Sequence, residues 1–324
     1  MAADTNVQVT GPARSGATMR NFLGHYGIHV ALILLIVVSA VLSPTFLSGR
    51  NVSNLLLQAA PLGIVVVGQA FVILVRGLDL SVASVMATAA IVTTAFSGQD
   101  SDLLLIVIVA LTIGLGTGLA NGLLIAKRDV SPFLATLAMM IVLQGARFAF
   151  TRGAPSGNVP PFIRILGSQT FYGVPYNIMI LAVLAIAFSI LLSKTVFGRS
   201  VYIVGGNPVT ARLVGIKADR VLILCYVISG GLAALAGLIL SGFVGIVDNW
   251  VGRGFELDSI VAAVMGGVAL SGGRGTIVGA LIGAAILMVV SNAVLLLGLP
   301  VQFQVIIKGI VIVVAAAFYV RRVA

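Results

Sequence analysis

Apolar residues run along this chain in long blocks separated by short polar punctuation. Blocks of that length are read as membrane spans, because crossing the hydrocarbon as a helix takes about 20 apolar residues. With Gly, Pro and charge clusters as boundaries, spans are expected near residues 29–47, 54–75, 80–97, 103–126, 131–151, 177–193, 221–246, 259–271, 276–297 and 303–320. The eighth is short, and a broken or re-entrant hairpin through 259–297 serves nearly as well. The expected fold is an all-α polytopic membrane protein of about ten transmembrane helices. Residues 1–27 are expected to form a polar, disordered tail and 28–324 a transmembrane domain with a basic loop at 194–220.

Composition supports that class. Of 324 residues, 60% are hydrophobic and 9% charged, against roughly a quarter charged in soluble domains. No separate soluble domain fits. The 19 Lys and Arg against 9 Asp and Glu do not point to nucleic acid, because basic residues at the ends of apolar segments orient a chain toward the cytoplasm. If the N-terminus is inside, the inner segments hold Arg14, Arg20, Arg76, Lys127, Arg128, Lys194, Arg199, Arg212, Lys217, Arg220, Arg274, Arg321 and Arg322. The outer ones hold only Arg50, Arg152, Arg164 and Arg253, so both termini are expected to be cytoplasmic. The polar start, with Arg20, His25 and His29 before the first apolar run, resembles a signal peptide, but no small-residue cleavage site follows. An uncleaved first span is expected. The single cysteine, Cys225, lies in an apolar segment and excludes a disulfide or thiolate metal site within one chain.

The chain also hints at an internal repeat. Leu78-Asp79-Leu80-Ser81-Val82-Ala83 precedes the third span and Leu257-Asp258-Ser259-Ile260-Val261-Ala262 the eighth; Asn121 with Pro132, and Asn292 with Pro300, bracket the ends of the fourth and ninth. A unit of five spans is odd, so the second set would be inverted. A 5+5 inverted repeat places a central pathway at its interface and permits alternating access by rocking.

Charge positions test mechanism, because a charge at mid-bilayer costs roughly 2.5–3.5 kcal/mol on insertion scales. Asp4, Asp79, Asp100, Asp102, Asp129, Asp219, Asp248, Glu256 and Asp258 all fall in the tail, in loops or at span ends. A proton-coupled carrier needs a titrating group within the membrane, and this pattern offers neither carboxylate nor histidine there. Sodium coupling through backbone carbonyls stays open. Arg76 and Asp79 flank one turn and are expected to form an ion pair or cap, while Arg147 and Lys308 are expected to snorkel to the interface. Gly114, Gly118 and Gly122, and again Gly275, Gly279 and Gly283, recur every fourth position and are expected to let helix backbones approach closely.

Catalytic signatures are missing. Gly114 to Gly122 (GLGTGLANG) lacks the third glycine and the preceding strand of a dinucleotide site, and Ser271 to Thr276 (SGGRGT) lacks the Lys-Ser/Thr end of a phosphate loop. No Ser-His-Asp set, zinc spacing or paired buried carboxylate is present. The chain is therefore not expected to be an enzyme or to bind a metal or cofactor, and ATP, if used, is bound by another polypeptide.

Four stretches carry a family resemblance: GLDLSVAS at Gly77 to Ser84, NGLLIAKRDVSPFLATLAMM at Asn121 to Met140, GRSVYIVGGNPVTARLVGI at Gly198 to Ile216, and ELDSIVAAVMGGVALSGGRGTIVGALIG at Glu256 to Gly283. In combination the chain resembles the membrane permease subunits of ATP-binding-cassette importers of the ribose/monosaccharide type, a resemblance that extends over most of its length. It implies a second, identical or similar permease, two cytoplasmic ATPase domains carrying ATP and magnesium, and a periplasmic or extracellular sugar-binding protein, all at a bacterial inner membrane.

The resemblance also implies that the loop after Gly198 is the ATPase-coupling element. Gly205, Gly206 and Asn207 would make the turn, Pro208 the start, and Val209, Thr210, Ala211, Arg212 and Leu213 a short helix before Gly215. Thr210 to Leu213 are the expected contacts. A plain basic inner loop explains the charges by lipid electrostatics but not the Gly-Gly-Asn-Pro turn. Ala83 replaces a common glycine, and Arg212 a frequent alanine, which weakens any transfer of substrate identity. A sugar, being neutral, would be passed by uncharged polar groups: Gln69, Ser81 and Asn121 are the candidates. Asp248, Asn249 and Trp250, on an outer loop, are candidates for binding-protein docking, with interfacial anchoring as the alternative for Trp250. The rival function is an ATP-independent secondary carrier or channel for a small neutral solute.

Overall fold

A computed structural model describes residues 14–154, 157–300, 302–307 and 309–310. Helix dominates them. In chain order these are α1 Arg14–Leu42, α2 Gly49–Leu74, α3 Val82–Thr94, α4 Leu103–Arg128, α5 Pro132–Thr151, α6 Pro161–Ser168, α7 Tyr176–Lys194, α8 Val196–Gly206, α9 Pro208–Leu213, α10 Ala218–Val244, α11 Phe255–Met265 and α12 Ile277–Leu296. A two-residue hairpin, β1 Thr170–Phe171 with β2 Val174–Pro175, is the only sheet among the described residues.

Six helices there are long and apolar enough to cross a membrane: Gly49–Leu74, Asp100–Arg128, Pro132–Thr151, Tyr176–Lys194, Ala218–Val244 and Ile277–Leu296. The chain is a multi-pass membrane protein. Apolar length alone does not reproduce the expected ten spans. The apolar part of the first helix, Gly27–Leu42, and α3 are shorter; α11 is an 11-residue helix, about 16 Å long at 1.5 Å per residue. The eighth expected span is thus a short helix followed by irregular backbone at 266–276, the broken form that its length allowed. Helix α1 starts at Arg14, inside the segment expected to be a disordered tail. Most of the tenth span, Lys308 and the C-terminal arginines lie outside the described residues.

Helix α2 is the axis of the fold, with 83% of its apolar window buried, against 17% for α5 and for α7. Everything from Ala60 to Leu74 is enclosed by α10, α12, α11 and α7. The outer faces of α4, α5 and α7 keep Leu104, Ile108, Leu119, Ile141, Val183 and Ile186 exposed, as surfaces bathed in lipid or partner protein require.

Glycine sets the tightest contact. A Cβ on Gly114, Gly118 or Gly122 of α4 would run into the α10 backbone at Gly230, Tyr226 and Ile223 respectively. The two backbones therefore touch, which lipid alone would not drive and close packing can. In α12, Gly279 and Gly283 sit in the same way against Gly266 and Ala262, whereas Gly275 lies in the loop ahead of the helix with φ +140°, outside the expected stripe. Gly118→Leu should force α4 and α10 apart at a cost of about 1–3 kcal/mol or more, read as a lower melting temperature and a smaller folded fraction in detergent. Gly116→Leu, where nothing lies within 4 Å, should leave both unchanged.

Candidate functional site

Two linked regions concentrate polar groups, one at the end of the bundle rich in basic residues and one buried beneath it. At the basic end, α8 stops at Gly206 and α9 starts at Pro208, with one residue between them. Asn207 makes the change of direction: its backbone is extended (φ −157°, ψ 108°), and its Oδ1 accepts the amides of Val209 (2.9 Å) and Thr210 (3.1 Å). That is an N-cap, and Pro208 at the first helical position loses no hydrogen bond. Gly215, at φ +81°, closes the short helix, with Ile216 N–H donating to the Ala211 carbonyl.

The faces of α9 are unequal. Ala211 is fully buried and anchors the helix inward, so it is not among the side chains α9 presents. Val209 (62% exposed) and Leu213 (81%) point outward with Thr210 and Arg212. Arg212 Nη2 meets Asp219 Oδ1 at 3.0 Å and Lys127 Nζ meets Asp219 Oδ2 at 2.6 Å, tying α9 and α4 to the first turn of α10.

Beneath α8 lies the break between α2 and α3. Arg76 sits there in the left-handed region (φ 66°). Its Nε donates to the Gly205 carbonyl at 2.6 Å and its Nη2 to that of Gly206, so the guanidinium satisfies the last carbonyls of α8. The Gly273 amide donates to the Leu74 carbonyl at 2.9 Å, and any Cβ on Gly205 would occupy the space of those two groups. Three chain segments thus meet through bare backbone.

The same break carries Asp79, which is completely buried. Its Oδ1 accepts from Ser81 N–H (3.0 Å) and Ser81 Oγ (2.6 Å), and its Oδ2 from Ser229 Oγ (2.8 Å). With its amide oriented to match, Gln69 brackets the Asp79 backbone, donating to the carbonyl and accepting from the N–H at 3.2 Å each. Asn121 Nδ2 donates to Ser81 Oγ at 2.9 Å, and Tyr226 Oη donates to the Leu78 carbonyl at 3.3 Å. Gln69, Ser81 and Asn121, picked out separately along the sequence, therefore form one cluster. Ser229 is eleven residues into α10, about 16 Å along its axis, and Asn121 seven residues from the end of α4, about 10 Å. The cluster lies at membrane depth.

Two expectations are corrected here. Of the ion pair or cap expected of Arg76 and Asp79, the ion pair is not made: Arg76 caps the end of α8 and Asp79 accepts the Ser81 amide just ahead of α3. And the chain does possess a buried carboxylate: a loop position in sequence is a deep position in the fold, because the loop folds back between helices.

The opposite end holds a cavity of about 400 Å³ lined by Ala83, Ser84, Met140, Gln144, Arg147, Asn249, Trp250, Val251, Arg253 and Glu256. Arg147 does not snorkel. It is 6% exposed and turned inward, Nη1 donating to the Ser84 carbonyl (2.8 Å) and Nη2 to the Asn249 carbonyl (3.4 Å). An interior polar groove gives the guanidinium acceptors that hydrocarbon would not. Asn249 is likewise buried, its Nδ2 donating to Thr151 Oγ1 (3.0 Å) and the Gly153 carbonyl (3.2 Å), while Asp248 and Trp250 stay exposed. Trp250 packs edge-on against Phe148 and beneath Arg253, 5.1 Å from its ring centroid. Sequence reasoning assigned Arg147 to the interface and passed over Ser229. Gln144 three residues before Arg147, on the same helical face, was a signal for the first; Ser229 offered none.

A family profile described as "Branched-chain amino acid transport system / permease component" matches residues 51–316. The ribose import permease protein RbsC of Bacillus subtilis is 38% identical over 291 residues, covering 89% of this chain and 90% of that protein. The L-arabinose ABC transporter permease protein AraH of Azospirillum brasilense is 34% identical, covering 95% and 91%. The galactose/methyl galactoside import permease protein MglC of Escherichia coli is 33% identical, covering 91% and 94%. No solved structure matches. With a profile across most of its length, and relatives of this identity matched over nine tenths or more of their length, the chain belongs to the family of sugar permease subunits of ABC importers.

Proposed function

We propose that this chain is the permease subunit of an ABC importer that carries a monosaccharide or related small polyol across a bacterial inner membrane by alternating access, itself catalysing no chemistry. The relatives named for ribose, L-arabinose and galactose support the solute class. The observation that carries the coupling is α9: a capped, tethered helix with two apolar side chains held out from the basic end. Exposed apolar groups on a rigid support suit insertion into a protein cleft. In this reading the basic end is cytoplasmic, both termini lie there, the helices number about ten, and an ATPase domain grips α9. A second permease, identical or similar, and a second ATPase domain complete the core. A solute-binding protein docks at the opposite end near Asp248 and Trp250, and Gln69, Ser81 and Asn121 border the pathway where the break moves.

The route from α9 inward is a closed circuit. Arg212 holds α10 through Asp219; Ser229 of α10 holds Asp79; and Arg76, in the turn of Asp79, holds the end of α8, which leads back to Asn207 and α9. Displacement of α9 is thereby delivered to the α2–α3 break by bonds that resist extension.

An ATP-independent carrier draws on one observation, the buried Asp79. Liposomes separate the two: uptake should require ATPase, ATP and binding protein, and flux through the permease alone, driven by a solute, proton or sodium gradient, would overturn the importer. Leu213→Asp or Arg212→Glu should lower ATPase co-purification and uptake at least tenfold while the permease inserts normally, and Asn207→Pro should do the same by removing the cap. Undiminished uptake by these variants would refute α9 as the coupling element. Arg76→Ala should keep ATPase bound but cut the sugar moved per ATP hydrolysed several-fold, measured in the same proteoliposomes.

A further inference from the structure

We propose that the cavity under the loop at 245–254 is a low-affinity binding site for a neutral, hydroxyl-rich solute, with Arg147 and Asn249 as its binding residues. The inference rests on the import reading and names a station on the solute's route that lies apart from the Asp79 cluster.

Two residues that line the cavity each keep a polar atom without a partner, enclosed beneath its wall. Arg147 Nε and Asn249 Oδ1 are buried and make no hydrogen bond, although the other polar atoms of both side chains are engaged. Native interiors leave few such atoms, and each one calls for a physical reason. One is a donor and the other an acceptor, and they belong to residues joined through the Arg147–Asn249 carbonyl bond, which is long at 3.4 Å. Once the loop's contact with Arg147 opens, a solute hydroxyl can serve both, accepting from the guanidinium and donating to the amide oxygen.

Charge narrows the class. A carboxylate would answer Arg147 and Arg253 but present only acceptors to Asn249 Oδ1, and it would share the space with Glu256. An ammonium would face Arg147 and Arg253. A neutral polyol meets neither penalty. The size, about 400 Å³, falls within the range of roughly 300–1,000 Å³ usual for small-molecule sites. The loop is built to shift over it: Gly245, Gly252 and Gly254, with φ of +73°, +79° and +97°, flank Asn249 on both sides, so the solute can replace the loop's own contact with Arg147. Occupancy must stay weak, since a translocation site has to release what it binds.

Trp250 provides the assay, because it is the single tryptophan of the chain and lines the cavity. The full-length permease in lipid nanodiscs is titrated with D-ribose, L-arabinose and D-galactose, and with gluconate as the anionic probe, while Trp250 emission is followed. A saturable change with at least one neutral sugar, half-complete on the order of 1 mM, and weakened at least tenfold by Arg147→Gln, is the expected result. Gln144→Phe, which fills the cavity and leaves the bonds of Arg147 in place, should abolish the change and guards against a misfolded arginine variant. Failure of every neutral sugar to shift Trp250, when the assembled importer transports one of them, would overturn the site and leave the import function standing. A response to gluconate alone would overturn the neutral class, and absence of both response and ATP-dependent sugar uptake would overturn the site and the import reading together.

Discussion

Irregular backbone at membrane depth must find its hydrogen bonds inside the protein, because hydrocarbon offers none and each unsatisfied group costs several kcal/mol. Most of this architecture follows from meeting that demand at the break between α2 and α3. Gln69 brackets the backbone of Asp79; the Asp79 carboxylate holds Ser81 and Ser229; Tyr226 reaches the Leu78 carbonyl; and Gly273 reaches the Leu74 carbonyl. The partners come from α2, from the break itself, from α10 and from the loop after α11, so the break depends on those segments packing together. A local irregularity thereby organises the centre of the fold.

Such a join has mechanical consequences. Rods of helix are stiff, whereas a turn held by side-chain hydrogen bonds can rearrange by exchanging partners. The break in this chain is also where Arg76 holds the end of α8. The surface of α9 and the buried carboxylate are therefore neighbours in connectivity although separated by the depth of α8. Glycine makes the joint compact: Gly205 lets Leu74 and Gly273 come together with no intervening side chain, so that motion of one segment cannot be absorbed by rotamer changes.

Much of this was legible in the linear chain. The positions of α2, α4, α5, α7, α10 and α12 follow from uninterrupted apolar length, and the start of α9 from Asn207-Pro208, since capping and fixed φ are local properties. The glycine stripe of α4 announced close packing but not its partner, which proved to be α10. Leu78-Asp79-Leu80-Ser81 ahead of α3 and Leu257-Asp258-Ser259 in α11 look alike in sequence and differ in setting: Asp79 is completely buried, whereas Asp258 is half-buried on a short helix.

What the sequence determined by itself is the membrane class, the order of the long helices and the geometry of the cap at Asn207, because each depends on residues close together in the chain and on the solvent around them. Tertiary structure alone decided that Asp79 is buried rather than at a membrane edge, that Arg76 serves α8 rather than Asp79, and that Arg147 turns to Ser84 and Asn249 rather than to lipid headgroups. For a polar side chain in a membrane protein the favoured direction is wherever acceptors or donors stand. Here those groups are supplied by segments as many as 150 residues away, whose proximity no local pattern encodes.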